Sequence, residues 1–324
     1  MWEPGGVPTP RNSLPRPAPS TTARAAAAIA VTGAATLAWS AGVEVRWFAL
    51  RSATLPALPA GAEPIKVLHL SDLHMTPRQG RKQDWVRGLA ALEPDLVVNT
   101  GDNLAHMRSV PVVLDALGDL LDVPGVFVFG SNDYFAPSLR NPMRYLLPDD
   151  GQRNTHTPRL PHSELRTGFE ARGWLDLTNR RETLKVKGTS FAFAGVDDPH
   201  LGYDDLAAVA GPADTDADVR MGVTHAPYLR VLDQFARDGY ETVLAGHTHG
   251  GQVCLPWRAL VTNCDLDTAR VKGLHRHPAD ASPGRSGSSW LHVSAGLGTS
   301  PYAPVRLCCR PEATLLTLVP VPVS

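Results

Sequence analysis

Five apolar stretches in this chain each run straight into Asp, Asn or His. LHLSDLH delivers Asp72-x-His74, LVVNTGD delivers Gly101-Asp102, and VFVFGSND delivers Gly130-Ser131-Asn132-Asp133. MGVTH delivers His225, and VLAGHTH delivers Gly246-His247-x-His249. Alone, each piece has a plainer reading: a surface polar, a turn, or a core histidine pair. Together and in this order they read as a set of metal ligands. Imidazole, carboxylate and amide donors without thiolate suit Mn, Fe or Zn in a hydrolytic centre. Asp72, His74, Asp102, Asn132, His225, His247 and His249 are more donors than one ion needs. Two ions bridged by a carboxylate would use them all, lower the pKa of a bound water toward about 7, and clamp a phosphoryl group for in-line attack.

The elements that must position these residues follow from spacing. Asp72, Asp102 and Asn132 recur at intervals of 30 residues, the length of one strand–helix–strand unit. Apolar runs at Ile65–Leu70, Asp95–Asn99, Val126–Phe129, Phe191–Val196, Val219–Thr224 and Thr242–Ala245 predict strands. Helical spacing over Asp84–Leu92, Val110–Leu121, Ser163–Arg172 and Tyr228–Arg237 predicts helices between them. Such alternation means a largely parallel sheet, and ligands of such sheets bind beyond the carboxyl ends of the strands. In Asp72-x-His74 and His247-x-His249, residues two apart on a fraying strand end face one way. The polar, proline-broken stretch from Tyr134 to about His162 is expected to be a functional or mobile loop.

The N-terminus is of another kind. Six prolines fall within the first twenty residues, which predicts a disordered tail over 1–24. Residues 25–43 carry no charge and form a helix long enough for a bilayer core. Arg11, Arg16 and Arg24 precede it, which favours a single-pass anchor with the remaining chain outside; a cleaved signal with a secreted product is the alternative, and a buried soluble helix the third reading. Residues 45–324 are read as one catalytic domain. Basic and acidic residues nearly cancel, 31 against 32, so no nucleic-acid-coating surface is expected. Cys254, Cys264, Cys308 and Cys309 form no Cys-x-x-Cys pair, against a thiolate zinc site. They read as small buried residues, with a Cys254–Cys264 disulfide as the alternative in an exported domain.

The order DLH, GD, GSND, TH, GHTH resembles the calcineurin-like metallophosphoesterase superfamily. The flanking GHTHGGQ, GLGTSPYAPVR and RPE resemble its small, bacterial, membrane-tethered phosphodiesterase branch. The resemblance covers about residues 45–319. It implies an α/β fold, a two-sheet αββα sandwich, here preceded by an N-terminal apolar helix. It implies two divalent ions, Mn or alternatively Fe or Zn. Asp72, His74 and His249 would hold one ion; Asn132, His225 and His247 the other; Asp102 would bridge them. The activity implied is hydrolysis of phosphoesters, most of all phosphodiesters, on a small-molecule or lipid-linked substrate at the membrane, with Asp102 and Asn132 in catalytic positions.

One turn departs from the family pattern, Gly-Asn-His followed by Asp or Glu. Without a gap, Ser131 stands for the ligand and Asn132 for the histidine. Shifted by one, Asn132 is the ligand and Asp133 takes the histidine position. An amide oxygen suits the ion better than a neutral hydroxyl, which favours Asn132 as ligand. Either way the histidine is missing; His200 either substitutes for it or is a solvated loop residue. The altered turn keeps a second function open, a tethered phosphate-ligand-binding protein with a degraded, non-catalytic metal site. A mononuclear peptidase is disfavoured because no His-Glu-x-x-His motif occurs.

Overall fold

The computed structural model describes residues 20–139, 155–282 and 284–322, with Met1 and Arg153. The proline-rich stretch before residue 20 and much of the Tyr134–His162 loop lie outside the described residues. Two compact units are present, Met1–Trp39 and Ser40–Ser324.

The first unit carries most of α1 (Thr21–Gly42), whose only charge is Arg24. Its alanine-rich sequence is a strong helix former. At about 1.5 Å per residue its 22 residues extend roughly 33 Å.

The second unit holds two six-stranded sheets. Along the first, the order is β1 (Ala49–Leu58), β14 (Glu312–Pro320), β2 (Ile65–Leu70), β3 (Leu96–Asn99), β4 (Gly125–Phe127), β5 (Leu175–Asp176). Along the second it is β12 (Gly273–His277), β13 (Ser289–Val293), β9 (Thr242–Ala245), β8 (Val219–Val223), β7 (Thr189–Gly195), β6 (Arg180–Val186). β2 through β5 run parallel, as do β7, β8, β9 and β13; β14 and β12 pair antiparallel with their neighbours β2 and β13, and so does β6 with β7. A separate hairpin, β10 (Cys254–Leu255) with β11 (Arg258–Ala259), follows His249.

The central strands read as unbroken apolar runs because both faces are covered. Between the sheets, Ile65, Val67, Leu96, Val98 and Val126 meet Phe191, Phe193, Met221, Val223 and Leu244. Outside the first sheet, Leu68, Leu70, Val97 and Phe127 pack on α2 (Gly80–Gly88), α3 (Val110–Leu117) and α4 (His162–Glu170) through Val86, Val113, Leu117, Leu165 and Phe169. Outside the second, Val243, Leu291 and Val293 pack on α5 (Leu229–Asp238) through Val231, Leu232 and Phe235. The layer order is therefore helix, sheet, sheet, helix.

The predicted helices begin near their expected places but two end early. Asp84–Leu92 and Val110–Leu121 each close in a tighter 3-10 turn, after Gly88 and Leu117. All four cysteines are free, with Cys254, Cys264 and Cys309 buried and Cys308 exposed; no disulfide joins Cys254 to Cys264.

Candidate metal centre

All seven expected ligands lie just past the carboxyl ends of β2, β3, β4, β8 and β9. The first sheet contributes Asp72, His74, Asp102 and Asn132; the second contributes His225, His247 and His249. The turns interlock: Asp72 N–H donates to Gly101 O (2.8 Å), His74 N–H to Asp102 O (2.9 Å) and Gly246 N–H to His225 O (2.8 Å). Bonds also cross between the sheets, among them His247 N–H to Asp72 Oδ2 (3.1 Å), which Ser71 Oγ also serves at 2.5 Å.

The two-apart residues converge for a reason other than strand alternation. Asp72, His74, Asp102, His247 and His249 all have left-handed backbone, with φ of 51°, 40°, 56°, 68° and 49°. Each chain curls at the end of its strand and turns consecutive donors inward. Close approach by glycine makes room. A Cβ on Gly246 would fall 1.8 Å from Ser71 Oγ, and one on Gly130 would fall 2.4 Å from Asp102 Oδ1.

The donors form two groups that share Asp72. Single donor atoms of Asp72, His74 and His249 lie within 4.8 Å of one another, as do those of Asp72, Asp102 and His225. His74 Nε2 and His249 Nε2 are 3.2 Å apart, and His247 Nδ1 is 3.3 Å from His225 Nε2. Asp102 points one oxygen each way: Oδ2 is 3.5 Å from His74 Nε2, and Oδ1 is 3.5 Å from His225 Nε2. The Asn132 side-chain amide donates to Asp102 Oδ2 at 2.7 Å, and its backbone N–H to Oδ1 at 2.7 Å.

This donor set fits divalent cations. Asp72 Oδ1 is buried and accepts no hydrogen bond from the protein. It nevertheless lies 3.7 Å from His249 Nε2 and 4.0 Å from His74 Nε2, where a cation would satisfy it. Burial and neighbouring positive groups, His249 for His74 and Arg306 for His249, hold both imidazoles well below the usual histidine pKa, in the neutral form that ligates. His247 is held down likewise by burial and His200. His225 goes the other way. Burial opposes its charge, but Asp102, Asp72 and Asp198 outweigh burial and raise it to about 9. The carboxylates thus demand a positive charge at this spot. Its Nδ1 faces Thr100 O at 2.7 Å, which leaves Nε2 to face Asp102.

Several supporting roles escaped the sequence reading, that of Asp133 among them. Asp133 is fully buried and accepts from the backbone N–H groups of Asp102, Asn103, Leu104 and Gly130, at 2.8, 2.8, 3.3 and 3.0 Å. It is therefore a backbone clamp and does not occupy the position of the missing histidine. Arg306, 0% exposed, donates to Ala295 O, Gly296 O and Gly298 O at 2.7, 3.1 and 2.7 Å behind His249. Lys82 donates to Leu73 O and His74 O at 2.5 and 3.3 Å. A serine-to-aspartate spacing, or one arginine among many, carries no signal of burial, so these were not findable by pattern. His200 is a half-buried turn residue: its ring packs 4.5 Å from that of His247, with Nδ1 3.1 Å from Tyr228 Oη.

The chain is similar to several known proteins. The uncharacterized metallophosphoesterase YkoQ of Bacillus subtilis is 26% identical over 264 residues, 79% of this chain and 84% of YkoQ. The phosphodiesterase YaeI of Escherichia coli is 26% identical over 299 residues, 88% of this chain and 96% of YaeI. A Bos taurus transmembrane protein with metallophosphoesterase domain is 28% identical over 278 residues, 82% of this chain and 55% of that protein. The family model for calcineurin-like phosphoesterases matches residues 65–251. That match opens on the first residue of β2, closes two residues after His249 and takes in all seven expected ligands: the chain belongs to the calcineurin-like phosphoesterase family.

Proposed function

We propose that this protein is a dinuclear metal-dependent phosphodiesterase tethered to a membrane by α1. The observation that carries the dinuclear reading is the split of Asp102, one carboxylate oxygen toward His74 and the other toward His225. Asp72, His74 and His249 would hold one ion, and Asn132, His225 and His247 the second, with Asp102 shared. Manganese is the preferred metal, with iron or zinc as alternatives. A bound pair of such ions supplies an acidified water and positive charge against the phosphoryl oxygens. The chain's own residues do the rest. Asp133 fixes the Asp102 turn, the Thr100 carbonyl fixes the His225 tautomer, and Arg306 holds the loop that carries His249. His200 stands on the His247 side and is proposed to orient the phosphoryl group where the family histidine is absent.

A diester is preferred over a monoester because YaeI, similar along nearly its whole length, is named a phosphodiesterase. The anchor reading rests on the uncharged run after Arg24 and on the arginines before it. It places the catalytic domain on the outer side. The deciding experiment uses full-length protein in detergent, stripped with chelator and reloaded with Mn, Fe or Zn. Two ions per chain and faster turnover of bis-p-nitrophenyl phosphate than of p-nitrophenyl phosphate support the proposal. Two ions without turnover of either would favour the second reading, a phosphate-ligand-binding protein, which the Ser131-Asn132 turn alone supports.

A further inference from the structure

Among the described residues of the second unit, the most exposed large apolar side chain is Trp257, at 81%. It has company. Leu255 and Leu260, 44% and 51% exposed, share its hairpin, and Tyr302 is 53% exposed. The hairpin is two-faced. Cys254 and Ala259 turn inward and are buried with Val271, Ala295 and Cys309, while Leu255, Trp257 and Leu260 turn outward and cover nothing. Its inner face is packed into that cluster, which leaves the other face with exposed apolar side chains.

The hairpin's foot is stitched to the segment that receives the end of α1. Cys254 N–H donates to Leu307 O (2.8 Å), Leu307 N–H to Gln252 O (3.0 Å), and Gln252 Nε2 to Ala303 O (2.8 Å). The next residue along, Arg306, donates its N–H to Ser40 O (3.2 Å), and Cys309 N–H reaches Glu44 Oε1 (2.6 Å). Ser40 lies in the last turn of α1. Close by, Trp47 is half exposed under the Arg310 guanidinium, 4.1 Å from its ring. Tryptophan and tyrosine together with arginine are what a membrane–water interface selects. The hairpin also begins three residues after His249-Gly250-Gly251, so the candidate centre stands close to its root.

We propose that the Leu255–Leu260 hairpin, with Tyr302, docks on the phospholipid bilayer that α1 spans, and that the centre accordingly takes phosphoesters carried by amphiphiles in that bilayer. The inference rests on the reading of α1 as a membrane span. The occupant follows from continuity: the chain leaves the bilayer near the end of α1, where Ser40 O accepts from Arg306 N–H, and the adjacent Leu307 bridges to Val253 at the hairpin's foot. Contiguous exposed apolar groups of this kind mark an interaction site in soluble units. A second copy or an unrelated protein would have no reason to sit beside residues 40–47.

The test uses full-length protein in phosphatidylcholine nanodiscs, with ordinary or brominated acyl chains. Two esters with one leaving group are compared, soluble methyl 4-nitrophenyl phosphate and bilayer-borne hexadecyl 4-nitrophenyl phosphate. Brominated lipid is expected to quench tryptophan emission, and Trp257→Ser to remove part of that quenching. The variant Leu255→Ser/Trp257→Ser/Leu260→Ser is expected to lose roughly tenfold in kcat/KM on the hexadecyl ester and stay within about twofold on the methyl ester. Unchanged quenching in Trp257→Ser, or equal losses on the two esters, overturns the docking. Inter-chain crosslinking at the hairpin without lipid quenching overturns it in favour of self-association. A chain that fails to incorporate into nanodiscs overturns the reading of α1 and the docking with it. If neither ester turns over, the phosphodiesterase reading falls, and quenching still decides the hairpin.

Discussion

Asp133→Asn should damage the protein more than any other single-atom exchange near the centre. The carboxylate serves four backbone N–H groups. Oδ1 takes those of Asn103 and Leu104, and Oδ2 those of Asp102 and Gly130. An asparagine must turn an NH2 toward one of these pairs and set donor against donor. Two bonds to a charged acceptor are lost, each worth about 1.5–3 kcal/mol, which gives a destabilisation of about 3–6 kcal/mol. Burial and the neighbouring Asp102 charge raise the Asp133 pKa to about 7, while the N–H groups of Gly130 and Asn103 favour the ionised form. Four donors fit the carboxylate, so the cost should be full above neutral pH. For a unit of this size the Tm should drop by roughly 6–12 °C, at about 2 °C per kcal/mol. The Asp102 turn should also loosen, and metal affinity fall about 10–100-fold. Calorimetry at pH 8 with chelator present separates the stability effect from the metal effect, and metal titration of the same samples gives the second. A Tm within about 2 °C of wild type would refute the clamp.

Asp102→Asn should lose metal and nearly all turnover while far-ultraviolet circular dichroism stays unchanged; wild-type turnover would remove Asp102 from the centre. Asn132→Ala should weaken metal binding or turnover by about 10–100-fold and Ser131→Ala should be nearly silent, because Asn132 alone of the two touches Asp102. If Ser131→Ala empties a site, the ligand has been misassigned. His69 and His292 bond Nδ1 to Nδ1 at 2.8 Å between the sheets, and both are buried. Burial, then His292, holds His69 well below the usual pKa; burial, then His275, holds His292 at about 3. Below pH 6.5 the unfolded chain takes protons that the folded pair refuses, so stability is lost as pH falls from 6.5 toward 3. At pH 5 His292 alone should cost about 2 kcal/mol, with His69 adding in the same direction, and His69→Leu/His292→Leu should flatten the Tm–pH slope. A double variant with the wild-type slope would show that acid sensitivity lies elsewhere.

The strands that carry ligands were legible because they are buried on both faces and read as apolar runs, as in Leu96–Asn99. β1 was missed because Pro56 and the polar Arg51-Ser52 break its pattern; as an edge strand paired on one side, it tolerates both. β10 and β11 left no signal, since they are two residues each and no periodicity survives at that length. Of the centre, the donors were visible as residue types at strand ends. Their backbone handedness was not, because Asp and His accept left-handed φ without announcing it. The role of Asp133 was hidden too. A carboxylate among polar neighbours looks like a surface group until burial and four donors give it another meaning.

Five left-handed ligand residues have a consequence for how this protein can change over time. Left-handed backbone costs a side-chain-bearing residue about 1–2 kcal/mol, less for Asp. Glycine at Asp72, His74, Asp102, His247 or His249 would relieve that cost while deleting a donor. Drift in a lineage that no longer needs the activity therefore meets less resistance toward glycine at these positions, since the relaxed backbone offsets part of the lost hydrogen bonding. Conversely, each position is doubly selected, once for its donor atom and once for its tolerance of φ near 50°. A branched or longer replacement fails the second test even where it would pass the first, so the centre is easier to lose than to rebuild.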